Sequence, residues 1–486
     1  MAHLPRKFVD DRTAVSVKDY GAIGNGIVDD FTAIMAAHNG LPSGGGTISL
    51  PPGTYSVSGE LAFTKPIHLH MDRATIITDN TSSILISTTS SLIIEGISPF
   101  DSVLIPKVGG SAILIKPRTY TENGKEIFQL KNIKIAGGGR GVNTEGLTGF
   151  YGGQFTIEDC FFESQSDVSV WMESSVFYSF IGRTQFSAVN GAIFVKDNCE
   201  LRIHHVTVEL DRTSTKPCIE ARGAAHLDID SCELFVRRPN PSPDVLLYSS
   251  ADNLDGITWI RNTKLSPEGL TDLRTGAHVR VYDVSHPQNS FYQLNIENCK
   301  FYAPSPLSLI SIGRSGGTVT ATVETIWPEG HALQVGDKTA IGFILANSSF
   351  NGTFTVTAVG AVTGTGPYHQ TLQWSQSTLP DVGQSNLGGI ISNAGLSAIQ
   401  FTNPVTHARI VGNEMLGYAY GVDDSAAVNS TILDVSGTHS YEDNKITGTL
   451  GYAWSEFKNA GHGFTRVVPR VGSRFEHSGG PPHPNE

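Results

Sequence analysis

A right-handed parallel β-helix, all-β in class, is the fold this sequence predicts, and three observations predict it. A six-residue phrase recurs between Ile127 and Phe301: apolar, any residue, polar turn former, small residue, any residue, apolar. Its copies start at Leu130, Ile157, Ile181, Ile203, Ile229, Ile260 and Ile296, separated by 27, 24, 22, 26, 31 and 36 residues. A loose period of that size marks a solenoid, in which each repeat buries its apolar face only against the next. Within a copy, apolar and often β-branched residues alternate with others, and no helical period intervenes. The repeats are therefore strands, not helical or leucine-rich units. The polar third position interrupts the alternation, so the chain turns a corner there and a second short strand follows. Successive coils then stack about 4.8 Å apart, the spacing of neighbouring strands.

The global numbers agree. A single core is unexpected for 486 residues, whereas a solenoid grows by adding coils. Gly supplies 52 of the 486 residues, about 11% against a usual value of about 7%, as a chain that turns every few residues requires. The net charge of −12 disfavours nucleic acid as a partner, because phosphate binding needs a basic face. No apolar stretch opens the sequence at Met1–Asp10, and none elsewhere reaches the length of a membrane span, so neither a signal peptide nor a membrane partner is expected. Cys160, Cys232 and Cys299 share the fourth position of the phrase, filled elsewhere by Thr, Val, Ile or Asn. They read as reduced, buried rungs of an internal ladder and not as metal ligands, since no C-x-x-C occurs.

Taken in order, an N-terminal arm (1–14) precedes a cap (15–60). Val15-Ser-Val-Lys-Asp-Tyr-Gly-Ala-Ile-Gly-Asn-Gly-Ile-Val-Asp-Asp30, a helical Phe31–His38 and Gly44-Gly-Gly-Thr-Ile-Ser-Leu-Pro-Pro-Gly-Thr-Tyr55 follow one another. This segment resembles the start of the pectate-lyase-like superfamily of polysaccharide-degrading β-helices. The resemblance implies that strand, Gly-rich turn and helix plug the open end of the solenoid, where strand edges and core would otherwise be exposed. Asp29 and Asp30 stand where carboxylates cap a helix N-terminus, a reading that outweighs catalysis. Polygalacturonases of this architecture carry Asn-Thr-Asp, Asp-Asp and Gly-His-Gly on consecutive coils. Asp423-Asp424 and Gly461-His-Gly463 occur here without the first element, so those roles are not carried over.

The parallel β-helix proper is expected over 61–314, with Ile67–Met71, Ala74–Thr78 and Ser91–Glu95 in its early coils and long loops over about 237–256 and 266–290. Residues 315–392 break the period. Thr318–Thr325, His331–Asp337, Asn351–Ala358 and Gln370–Trp374 read as a small inserted antiparallel β-module, similar to modules of bacteriophage tail and baseplate proteins. The last coils resume over 393–450, at Ile410 and Tyr441, before a C-terminal segment and tail (451–486).

Alternation places side chains. With positions −2, 0 and +5 of each phrase facing inward, one outward column runs Thr156, Phe180, Arg202, Asp228, Trp259, Asn295 and the other Glu158, Gly182, His204, Asp230, Arg261, Glu297. Arg202, His204, Asp228 and Asp230 thus share two adjacent coils. Asp228 and Asp230 are candidate catalytic carboxylates; Arg202, His204 and Trp259 are candidate sugar contacts. Two carboxylates about 6.5–9.5 Å apart suit inverting glycoside hydrolysis, against about 5–5.5 Å for retention, and crowding them raises one pKa enough to supply the acid. The plainer alternative is Arg202–Asp228 and His204–Asp230 ion pairs between coils. Competing sets are Glu209 with Asp211, Glu163 with Asp167, and a ladder of Glu173, Asp197 and Glu220 beside Trp171. Histidines such as His68, His70 and His369 read as surface or packing residues, and neither metal nor cofactor is expected.

Three functions follow. The first is a bacteriophage tailspike-type depolymerase that cleaves capsule, exopolysaccharide or O-antigen, with hydrolysis preferred. The resemblance implies a homotrimer, carried on the virion beside other tail proteins and made in the host cytoplasm without a signal peptide. The second is a lyase acting by β-elimination on a uronate glycan, with Arg202 and His204 as its residues. The third is an adhesin that binds glycan without cutting it.

Overall fold

A computed structural model describes residues 13–447 apart from 79–82, 117–125, 145–153, 174–178, 197–199, 212–213, 215, 223–225, 237–243, 249–256, 268–276, 282–290, 303–306, 326–332, 334, 343, 345–346, 387–389, 394–396, 402–404, 417–419, 424–438 and 441–444. Asp197, Asp424, Tyr441, the Gly461–Gly463 triplet, the tail and most of the N-terminal arm lie outside the described residues. The chain divides into two compact units, the first holding Met1–Ser214, Cys218–Glu233 and Ser250–Trp259 and the second the remainder.

The first unit is a parallel β-helix with three sheets. One sheet runs Ala14–Ser16, Gly46–Leu50, Ile67–Met71, Leu92–Gly96, Ile127–Lys131, Gln154–Glu158, Ser179–Gly182, Glu200–His204, His226–Asp230, each strand parallel to the last. The second sheet follows the corner of each coil, for example Phe161–Glu163, Gln185–Val189, Thr207–Leu210. The third closes the coil, for example Arg140–Asn143, Val168–Glu173, Gly191–Lys196, Ile219–Arg222. Ile157, Ile181, Ile203 and Ile229 stack in file as Cα partners, all fully buried.

The corner explains the phrase. Its third residue takes the left-handed conformation in every described copy: Asn132 (φ 54°), Asp159 (54°), Arg183 (47°), His205 (55°), Ser231 (55°), Asn262 (50°) and Asn298 (54°), with Gly412 (66°) in the copy at Ile410. Asn, Asp and Gly tolerate this region best. The corner N–H groups extend the ladder: Asp159 donates to the Gly182 carbonyl (3.2 Å), Arg183 to His204 (3.1 Å) and His205 to Asp230 (3.1 Å). The kink then aims the fourth side chain inward, where a small donor meets the carbonyl two residues back. Cys160 reaches Glu158 (3.1 Å), Thr184 Gly182 (2.9 Å), Cys232 Asp230 (3.3 Å) and Thr263 Arg261 (2.8 Å). Burial pushes the Cys160 and Cys232 thiols up to about 12, so they remain S–H donors; the four described cysteines are buried, and none is in a disulfide among the described residues. Replacing His205 by Val puts a β-branched residue at positive φ and lowers stability by about 1–2 kcal/mol, whereas His205→Asn does not. Denaturant midpoints of the two variants check this.

The cap forms as the resemblance implies, with one correction. Asp29, not Asp30, caps the helix Phe31–Gly40: its carboxylate accepts from the Phe31 N–H (3.0 Å), the Ser58 N–H (3.1 Å) and the Ser58 hydroxyl (2.6 Å). Burial works to raise its pKa, but these hydrogen bonds prevail and hold it below the usual range. Asp30, 1% exposed, instead closes the Gly-rich turn by accepting from Ile23 (2.6 Å) and Gly24 (3.0 Å). At the other end Lys65 donates to the carbonyls of His38, Asn39 and Leu41 (3.1, 2.9 and 2.6 Å), satisfying groups the helix leaves unpaired. His38 is buried, its Nε2 accepts from the Thr64 N–H (3.3 Å), and desolvation, with Lys65 nearby, depresses its pKa. The unfolded imidazole therefore binds its proton first. Stability contributed here is complete above about pH 6.5 and lost as pH falls from there through the lower folded value. Thermal midpoints between pH 7 and 5 should fall less steeply in His38→Asn than in the natural protein.

The second unit also holds parallel strand pairs, among them Phe291–Glu297 with Val405–Val411, Lys300–Tyr302 with Glu414–Leu416, and Val279–Val281 with Ser397–Phe401. Two stretches read as loops each contain a third-sheet strand, Val245–Tyr248 and Val279–Val281, paired in parallel. The inserted module is antiparallel as expected but begins earlier: Leu307–Ser315 already pairs with Thr318–Thr325 through a two-residue Gly316-Gly317 turn, both at positive φ. Thr318–Thr325 pairs with Tyr368–Ser375, and Lys338–Gly342 with Gly352–Thr355. Leu309, Val319, Val323, Phe350, Leu372 and Trp374 form its core.

Candidate functional site

On the first sheet, Leu201, Ile203, Leu227 and Ile229 are buried, so Arg202, His204, Asp228 and Asp230 face outward. Arg202 pairs in register with Asp228 and His204 with Asp230. The side chains cross instead: His204 Nε2 lies 3.5 Å from an Asp228 oxygen, and Asp230 accepts from the Ser231 hydroxyl (3.1 Å). Arg202 is exposed, while His204 and Asp228 keep 29% and 22% of their side-chain surface. Phe180 sets the imidazole. Its ring folds over Gly182, where a Cβ would sit 2.4 Å from it, and meets His204 edge-on at 5.7 Å. One coil earlier Arg183 binds Asp159 bidentately (2.7 and 3.0 Å) and Glu158 (3.1 Å), drawing both carboxylates away from other work. Asp228 and Asp230 share one strand, two residues and hence about 6.6 Å apart at Cα, on the same face. Trp259 is half-buried on the strand Ile257–Arg261.

The third sheet holds Glu173, Glu220 and Trp171. Register there differs from an acidic ladder. Glu173, Lys196 and Arg222 form one column; Trp171, Phe194 and Glu220 form the next. Glu173 pairs with Lys196, and Glu220 accepts from Arg222 (2.6 Å). Trp171 is covered on both faces, by Phe194 at 3.9 Å between ring centroids and by the Arg140 guanidinium at 3.9 Å. A ring enclosed in this way offers a sugar only its edge, so Trp171 serves as packing. On the second sheet Glu163, Ser187 and Glu209 share a column; Ser187 donates to Glu209 (3.0 Å) and Lys134 pairs with Glu163 (2.8 Å). Asp167 is held by Arg140 (2.8 Å).

Two groupings escaped the sequence reading. His68 and His70 stand two apart on Ile67–Met71, with Glu95 opposite on Leu92–Gly96; His-x-His within a strand was the available signal. In the second unit Asp244 and His278, both 0% exposed, hydrogen-bond to each other, and His278 Nε2 lies 3.0 Å from the Tyr302 carbonyl oxygen. That sealed pair reaches no glycan.

The family described as "Rhamnogalacturonase A/epimerase, pectate lyase-like" matches residues 14–93. Plasmin and fibronectin-binding protein A of Streptococcus pneumoniae is 47% identical over 81 residues, 15% of this chain and 10% of that protein. Mannuronan C5-epimerase AlgE6 of Azotobacter vinelandii is 54% identical over 44 residues, 9% of this chain and 5% of that protein. The matched segments thus span a tenth or less of these curated relatives. Among solved structures, ORF18 of Geobacillus virus E2 aligns over 77% of this chain and 76% of its own at 13% identity, with a TM-score of 0.36. The family match ends before Glu163, the first of the candidate carboxylates, so it bears on the cap and early coils and is silent on the chemistry.

Proposed function

We propose that this parallel β-helix, whose cap and early coils match the pectate-lyase-like family, binds and cleaves a bacterial surface polysaccharide, in the manner of a phage tailspike depolymerase. The observation that carries the reading is the outward Asp228–Asp230 pair beside His204 and Arg202. In an inverting hydrolysis one of the two carboxyls protonates the glycosidic oxygen while the other takes a proton from water. Arg202, exposed one coil away, offers a guanidinium to an anionic sugar. Sharing the cap with a mannuronan C5-epimerase supports a polysaccharide as the substrate class. The likeness of the inserted antiparallel sheet to phage tail modules supports a virion setting, and the homotrimer that the resemblance implies is part of the same proposal. Among the described residues no helix is long and apolar enough to cross a membrane.

The contact between His204 and Asp228 favours a second reading, β-elimination with His204 as base and Arg202 neutralising a uronate. Incubation with capsule and lipopolysaccharide from a strain panel separates the outcomes. Shortened glycan without the ultraviolet absorbance of an unsaturated uronate is the expected result. The chromophore would mark a lyase, and tight binding without shortening an adhesin; either overturns the hydrolase.

A further inference from the structure

We propose that His68, His70 and Glu95 bind a divalent transition-metal ion of the zinc class. The strand Ile67–Met71 buries Ile67, Leu69 and Met71 completely, so alternation sends both imidazoles to one outward face. Glu95 is the register partner of His70 on the next strand. One ligand atom from each of the three lies within 4.8 Å of the other two, and His68 Nε2 is 3.5 Å from a Glu95 oxygen. Zinc bonds of about 2.0–2.1 Å in a tetrahedron place donors about 3.4 Å apart, so small side-chain rotations on a fixed sheet complete the set.

The donors choose the metal. Two imidazoles and one carboxylate suit zinc and its neighbours, whereas calcium and magnesium take oxygen ligands. Lys131 lies 3.6 Å from the second Glu95 oxygen and holds it aside, as a charged partner behind a metal-ligating carboxylate does. The preceding strand presents Thr47 and Ser49 opposite His68 and His70, small uncharged residues that leave the fourth position to solvent. The site ties the coil that follows the cap to the next one.

The test uses the full chain, stripped of metal. Titration with zinc chloride followed by calorimetry should give one saturable ion at this site, and cobalt(II) should give visible bands without the intense sulfur charge-transfer absorption. His70→Gln and Glu95→Gln should each weaken binding by about 10-fold or more. Both positions are half-buried and outward, and circular dichroism confirms that each variant folds. His226→Gln, whose imidazole faces Glu200 at 3.9 Å, should leave affinity unchanged. Absence of saturable binding, or binding that survives both His70→Gln and Glu95→Gln, overturns the proposal.

Discussion

Asp228→Asn slows glycan cleavage by about 10²–10⁴-fold, the range for losing a positioned acid or base, while far-ultraviolet circular dichroism stays unchanged. Asp230→Asn does the same. Because the two act as a unit, the double variant is hardly slower than either single one. The comparison that decides between faces is Glu173→Gln. Glu173 is engaged by Lys196 on a face whose tryptophan is enclosed on both sides, so its loss should leave the rate within the scatter of the natural protein. A rate that survives Asp228→Asn and Asp230→Asn but collapses with Glu173→Gln moves the chemistry to the third sheet. Product assays at saturating glycan, measured beside the melting temperature, distinguish lost chemistry from lost fold.

Phe186→Ala destabilises the first unit by about 3–5 kcal/mol. The ring is 0% exposed and stacks on Phe162 at 4.8 Å with the planes 15° apart. Phe162 in turn fills the space beside Gly141, where an added Cβ would lie 2.6 Å from its ring. Coils are supported only by their neighbours, so a cavity at this rung loosens the coils above and below before distant ones. Hydrogen exchange should report faster opening at Ile157–Phe162 and Ile203–Val208 than at Ile48. Phe100→Ala is the control: at 76% exposure its truncation changes the stability obtained from denaturant unfolding by no more than about 0.5 kcal/mol.

The first two sheets were legible because two local rules fix them. A period of two sets which residues face inward, and a polar residue at positive φ sets where the strand ends. The register Ile157, Ile181, Ile203, Ile229 and the outward run Arg202, His204, Asp228, Asp230 follow from these alone. The third sheet obeys neither rule. Gly191–Lys196 buries Ala192, Ile193, Phe194 and Val195 in succession, because Phe194 points outward and is then covered by Trp171. Alternation is invisible there, which is why Glu173 and Glu220 were given a common column that Lys196 and Phe194 in fact occupy. The enclosing of Trp171 depends on residues one coil to either side, at variable sequence distance, and no short window contains it. The start of the inserted module was missed because Leu307–Ile312 alternates like another coil strand; only its antiparallel partner reveals the change.

The left-handed corner carries one further consequence. Its N–H donates to the main chain of the next coil, so this part of the hold between coils does not depend on which side chains stand on the outer columns. Those columns are therefore free to change identity together. Grafting a different outward set onto the strands Glu200–His204 and His226–Asp230, with Leu201, Ile203, Leu227 and Ile229 kept, should redirect which sugar is recognised at little cost in melting temperature. Diversification of the outward face then becomes a matter of repainting a surface whose supporting masonry never moves.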